Sequence, residues 1–172
     1  MSAGSNLTGC VFRWLFDAGG GVGLSVHGGF RVATERTVFA MPETAIGFFP
    51  DVGGSHFLPR LDGEFGTYLA LTGARLKGAD VLFAGIATHY VASSDIPALT
   101  EALGALTTFD NAAIAATIDK FAADPGTPSD VFTTHRATID KCFAFDSCGE
   151  IVESLSEDGS EFAEKTKKVC AP

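Results

Sequence analysis

The chain has no apolar run near the roughly 18 residues that a membrane-spanning helix needs, so a helical span is excluded. It is poor in positive charge. Twelve Lys and Arg stand against 21 Asp and Glu, for a net charge of -9. Nucleic acid is therefore not expected as the main partner, because phosphate contacts need clustered Lys and Arg. The four cysteines, Cys10, Cys142, Cys148 and Cys170, are far apart and include no C-x-x-C pair. That pattern supports neither a zinc site nor a redox pair, and it reads as free thiols in a reducing compartment.

Several nucleotide and hydrolase motifs are also absent. No Gly-Lys-Ser/Thr is present, so there is no P-loop, and Gly19-x-Gly21 meets Leu24 where a dinucleotide fingerprint needs its third glycine. Ser25 and Ser55 each lie beside glycines without completing G-x-S-x-G. His56 adjoins Ser55 only in sequence, and His27, His56, His89 and His135 read as ordinary structural residues. The first residues carry neither a convincing signal peptide nor the Arg-rich pattern of a transit peptide. No internal repeat is visible.

What is present is enough for a core. The 172 residues are 46% hydrophobic and 19% charged, which fits one domain with or without an appendage. The first half reads as mixed α/β punctuated by glycine. A short helix follows Gly19-Gly20-Gly21, and 30–34 and 37–41 are β-rich runs joined tightly at Glu35-Arg36. A short helix is expected from about Gly53 to Leu58, others over 64–71 and 77–84, and a strand-like run over 88–91. From Pro97 the spacing is helical, over 97–106, 111–123, 129–143 and 149–156, with a clear break at Asp124-Pro125-Gly126-Thr127-Pro128. Asp146 to Glu164 is rich in carboxylates without a Lys or Arg, which suits a solvated helix face.

Two features could carry chemistry. Backbone N–H groups of the Gly19-Gly20-Gly21 turn, at the start of a helix, would be unpaired and directed at a ligand, as in half of an oxyanion hole; close packing of glycine explains the turn equally well. The second is the pair Glu43 and Asp51, in the apolar stretch Met41-Pro42-Glu43-Thr44-Ala45-Ile46-Gly47-Phe48-Phe49-Pro50-Asp51. An acid among Ile46, Phe48 and Phe49 would be partly desolvated and would titrate high, and two carboxylates in unlike surroundings can divide acid and base roles. The alternative is a surface Glu and a helix-capping Asp.

These same residues resemble a family. The segments Gly19-Gly20-Gly21-Val22-Gly23-Leu24-Ser25-Val26-His27-Gly28, Met41-Pro42-Glu43 through Asp51-Val52-Gly53-Gly54, Leu69-Ala70-Leu71-Thr72-Gly73-Ala74-Arg75-Leu76 and Ala84-Gly85-Ile86-Ala87-Thr88-His89-Tyr90-Val91 are similar to the crotonase (enoyl-CoA hydratase/isomerase) superfamily. Within it they are most similar to its hydrolases of short 3-hydroxyacyl-CoA thioesters. The resemblance implies an incomplete α/β spiral of ββα turns followed by a helical carboxy-terminal region. It divides the chain into a non-matching segment 1–18, a partial core 19–94 and a helical region 95–172.

The resemblance also implies a mitochondrial thioester hydrolase of valine catabolism, with an acyl-CoA substrate, no metal and no cofactor beyond the coenzyme A of the substrate. Glu43 would be the main catalytic carboxylate, as nucleophile or general base. Asp51 would orient water or the substrate hydroxyl, and the Gly20 N–H would be one oxyanion donor. Hydration or isomerisation of an enoyl-CoA is the alternative within enzymes. A third is a non-catalytic chain that associates with a full-length relative, since the family tends to form oligomers, homo-oligomers included. The family continues on both sides of the matched region, with a second oxyanion donor and a further active-site Glu before it. A fragment or truncated product, poorly stable and weakly active alone, is therefore the expectation.

Overall fold

The computed structural model describes residues 20–108 and 110–170. The expected 1–18 segment, with Cys10, and Gly19 at the start of the expected core lie outside them. The elements in chain order are α1 (Gly20–Ser25), β1 (Val32–Ala33), β2 (Val38–Phe39), α2 (Gly54–Phe57), α3 (Phe65–Thr72), β3 (Leu76–Lys77), α4 (Ala79–Phe83), β4 (His89–Tyr90), α5 (Ile96–Gly104), α6 (Asn111–Asp119), α7 (Asp130–Thr133), α8 (Arg136–Cys142), α9 (Cys148–Asp158) and α10 (Glu161–Cys170). A 3-10 turn, Pro42–Ile46, follows β2, and another, Leu58–Arg60, extends α2. The described residues form two compact units, each built from two stretches of chain and each drawing residues from both sides of Ser94.

The first unit contains residues up to Phe39 together with Leu76–Thr127. The β-rich runs on either side of Glu35-Arg36 do not pair with each other. β1 runs parallel to β4, with Val32 opposite His89, and β2 runs antiparallel to β3, with Val38 opposite Lys77. The side chains of the intervening turn explain this. The Thr37 hydroxyl takes the Thr34 N–H (2.9 Å) and the Thr34 hydroxyl takes the Arg36 N–H (3.1 Å). Donors that a hairpin would send across its strands are therefore used locally. The parallel pair needs a crossover, and α4 packs on both β1 and β4. Arg31, at the start of this layer, donates to the carbonyls of Gly28 (2.8 Å), Ile86 and Gly85 (3.3 Å). Its apolar core is Val91, Ile96, Leu99, Leu103, Ile114 and Ile118, packed between β4, α5 and α6.

The second unit contains Ala40–Arg75 and Pro128–Pro172. Its centre is α3, which contacts the Pro42–Ile46 turn, α8 and α10. Phe65 and Leu69 on α3 are buried with Ile139, Phe143 and Leu155 from the later helices. The turn before α3 is tied to α8 by polar contacts. The Asp140 carboxylate accepts the Glu64 N–H (3.0 Å), and Arg136 pairs with both Asp140 and Asp62 (2.8 Å each).

Three sequence expectations change. Lys77 belongs to β3, and the helix expected over 77–84 starts at Ala79 after Gly78, whose φ is +48°. The helix expected over 129–143 is two, α7 and α8, parted at Thr134 and His135. His135 leaves the helical register there, and its ring stacks on Phe162 at 4.1 Å. Finally, the end of the expected helical region 95–172, where no separate helix is delimited beyond 156, forms α10. Its signals are a Ser160 hydroxyl that accepts the Ala163 N–H (3.2 Å), Glu161 and Glu164 in its first turn and Lys167 and Lys168 in its last. That charge order suits the helix dipole.

One close approach fixes α3 against the turn before it. A Cβ on Gly66 would lie 1.8 Å from the Leu58 carbonyl oxygen, a backbone atom that no rotamer change can remove. Gly66→Ala is expected to cost about 3 kcal/mol or more in urea-induced unfolding. Gly104→Ala, where a Cβ meets nothing within 4 Å, is expected to leave stability unchanged or raise it by up to about 1 kcal/mol.

Candidate active site

Pro42 begins the 3-10 turn, where a missing N–H costs nothing and the fixed φ suits a first helical position. The turn ends at Gly47 (φ +70°), whose N–H reaches the Thr44 carbonyl, while the Phe48 N–H reaches that of Glu43 (3.0 Å each). α3 supports this turn from the side. Gly73 closes α3 at φ +61°, and a Cβ there would crowd the Met41 oxygen and the Pro42 Cα at 3.2 Å. The result is that Glu43 points inward. It is 8% exposed, and its Oε2 has no hydrogen-bond partner among the described residues.

Asp51 follows Pro50 and is exposed. Its carbonyl accepts the Gly54 N–H (2.7 Å), which closes a tight turn through Val52 (φ +43°) and Gly53 (φ +86°) into α2. A β-branched residue in the left-handed region is strained, by about 1–3 kcal/mol. Asp51 does not cap α2; the capping position is held by Gly53, with no side-chain bond. The bend instead brings the Asp51 carboxylate to Glu43. Burial is the main cause that pushes the Glu43 carboxyl above its ordinary range. Its own backbone N–H pulls the other way, and the Asp51 carboxylate raises it further, by its charge and by accepting a hydrogen bond from the Glu43 carboxyl.

The structure therefore brings together two of the three residues singled out from sequence. Gly20 opens α1 in the first unit. Glu43 is buried, contrary to the surface alternative, but the phenyl rings beside it in sequence are not what buries it. Ile46, Phe48 and Phe49 are 83%, 46% and 66% exposed, and the two rings stack on each other at 4.4 Å. Glu43 and Met41 face inward from a turn that sends Ile46 and Phe48 outward. Among the described residues no group of three or more His, Cys, Asp or Glu is placed to hold a metal ion.

The family model described as enoyl-CoA hydratase/isomerase matches residues 16–171, and the chain belongs to that family. Over 154 residues it is 52% identical to the mitochondrial 3-hydroxyisobutyryl-CoA hydrolase of Mus musculus, covering 88% of this chain and 40% of that protein. Over 156 residues it is also 52% identical to small ribosomal subunit protein mS47 of Neurospora crassa, covering 84% of this chain and 30% of the relative. Among solved structures, a carnitinyl-CoA dehydratase from Mycobacterium thermoresistibile superposes with a TM-score of 0.77 at 36% identity, covering 90% of this chain and 43% of that one. The fold is thus an incomplete crotonase-type α/β core with carboxy-terminal helices. The chain spans about 40% of the length of the hydrolase it matches. The mitochondrial location that the resemblance implied is the one that the hydrolase's name carries.

The raised proton affinity of Glu43 has a consequence for stability. An unfolded Glu titrates near 4.3. Between that value and the raised native one, the folded chain binds more protons than the unfolded chain, so stability falls as pH rises through this window. Glu43→Gln removes the effect. The variant is expected to match the parent below about pH 4 and to be the more stable of the two at neutral pH, as read from urea unfolding at a series of pH values.

Proposed function

We propose that this chain carries the carboxylate pair of an acyl-CoA thioester hydrolase, acting on 3-hydroxyisobutyryl-CoA to give 3-hydroxyisobutyrate and coenzyme A in valine catabolism. The observation that carries the reading is the buried Glu43, with a free oxygen and Asp51 beside it, in a chain half identical to a protein named for that reaction. Glu43 acts on the thioester carbonyl carbon, either directly as nucleophile or by taking a proton from the attacking water. A carboxyl with raised proton affinity is the stronger base once ionised, which suits both roles. Asp51, exposed and hydrogen-bonded to Glu43, orients the water or the substrate hydroxyl. The resemblance assigns the Gly20 N–H to the thioester oxygen, where negative charge builds as the carbonyl is attacked. The carbon–sulfur bond then breaks, and the coenzyme A thiolate leaves and takes a proton; where Glu43 is the nucleophile, the acyl group is left on it as an anhydride, which water hydrolyses to the free acid and Glu43.

The test is thiol release from 3-hydroxyisobutyryl-CoA by the chain and its variants. Glu43→Gln is expected to lower the rate by about 10²–10⁴-fold, and Asp51→Asn by less. Full activity in Glu43→Gln would remove Glu43 from the mechanism. The likeness to a dehydratase favours a second reading, hydration or isomerisation of an enoyl-CoA. Loss of the enoyl absorbance of crotonyl-CoA without thiol release would decide for it. The equally identical relative named as a ribosomal protein favours a third reading, association without catalysis. Inactivity on both substrates, with retention of the chain in a complex, would support that one.

A further inference from the structure

The cysteines are left unused by this chemistry. Among the described residues Cys142, Cys148 and Cys170 are free thiols, of which Cys142 is buried, Cys148 exposed and Cys170 half-buried. The last two stand at the open end of a helical hairpin. α9 begins at Cys148, Gly159 (φ +64°) reverses the chain, and α10 returns to end at Cys170. The two helices pack on each other. On α9 the buried residues Ile151, Ser154 and Leu155 mark the inner stripe. Cys148 stands one turn before Ile151 and two before Leu155, so it continues that stripe. On α10 the buried residues are Ala163 and Thr166, and Cys170 follows them by two turns and one. The two cysteines are equidistant in sequence from Gly159, which sets them at the same level of an antiparallel pair. Their electrostatics agree. The Cys170 thiol is pushed up to about 11, first by burial and then by the charge of Cys148.

From this placement we propose that Cys148 and Cys170 are a redox modification site: they form a reversible disulfide that clasps the open end of the α9–α10 hairpin, with a low-molecular-weight disulfide such as glutathione disulfide as oxidant. Cys148 is the exposed thiol and meets the oxidant. Its thiolate attacks one sulfur of glutathione disulfide, forms a mixed disulfide and releases one glutathione. Cys170 then gives its proton to solvent and its thiolate attacks the Cys148 sulfur, releasing the second glutathione. Two protein thiols and one small disulfide thus become one protein disulfide and two small thiols. The clasp would fix the end of α10 beside Tyr68 of α3, whose phenol feels the charge of Cys170 after the larger effect of burial.

The experiment treats the 172-residue chain with glutathione disulfide, alkylates the remaining thiols and maps the tryptic peptides. The expected product is a monomer two hydrogens lighter, with the Val169–Pro172 peptide linked through Cys170 to the peptide that begins at Cys142. The link should persist in Cys142→Ser and vanish in Cys148→Ser and Cys170→Ser. The oxidised chain should also melt higher than oxidised Cys148→Ser, by about 5 °C or more, because the bond closes a loop in the unfolded state. Alkylation of both Cys148 and Cys170 after oxidation would overturn the proposal. So would a link that maps to Cys10 or Cys142, a bond between two chains, or a glutathione adduct on Cys148 that Cys170 does not resolve.

Discussion

Holding one carboxyl group out of water is the constraint around which the second unit is arranged. A buried carboxylate without a full set of hydrogen bonds is expensive, and a protein answers either by pairing it or by letting it keep its proton. Among the described residues Glu43 has neither a cation nor a complete set of donors. It has its own N–H, Asp51 and an oxygen without a partner. The turn that holds it cannot supply that stability from four or five residues of 3-10 helix, whose hydrogen bonds are poorer than those of an α-helix. The stability comes from α3, which lies against the turn and is itself gripped by α8 and α10. The carboxy-terminal helices therefore bear on Glu43 at one remove, through packing.

The second cost lies close by. Val52 occupies the left-handed region next to Asp51. Glycine or asparagine would sit there with less strain, so the neighbouring bend must be held by its surroundings. Pro50 and Gly54 show how. A Cβ on Gly54 would meet the Pro50 Cβ at 2.8 Å, which means that the chain on the two sides of Asp51 closes tightly. That closure turns an exposed Asp back toward Glu43. A strained bend and an under-satisfied buried acid on facing residues of one loop are two expenses met at a single place. Such concentration is expected where geometry serves binding or chemistry, not where it serves folding.

Much of this was legible in the sequence, and the failures have physical causes. The residues Glu43 and Asp51 could be named from composition and spacing, because few acids lie in so apolar a stretch. The rings expected to desolvate the acid are not what buries Glu43. Neighbours in sequence are not neighbours in space once a 3-10 turn intervenes, and Ile46, Phe48 and Phe49 are turned outward. The short runs around Glu35-Arg36 were recognisable as strands, yet their partners were not, since Thr34 and Thr37 spend the local donors and leave each strand to pair with a distant one. Helix α10 lies within the helical region expected over 95–172 but does not stand out as a separate run, because its fully buried face is narrow. Its buried residues are small, Ala163 and Thr166, its one large packed ring is Phe162 against His135 and Tyr68, and its other stability signals are capping and charge order.

The equal likeness to a hydrolase and to a protein named for the ribosome bears on what sequence identity measures in such a fold. Identity over a shared scaffold counts residues that pack helices and close turns alongside those of a site, and the former serve any function that the scaffold performs. The carboxyl group at position 43 is different. It adds nothing to packing that Gln or Met would not supply, and it weakens the folded state at neutral pH by the linkage of proton binding to folding. A chain that needed only the scaffold would gain by losing it. Its presence, together with the bend that aims Asp51 at it, is a cost without structural return, and it favours a reading in which the pair meets a substrate.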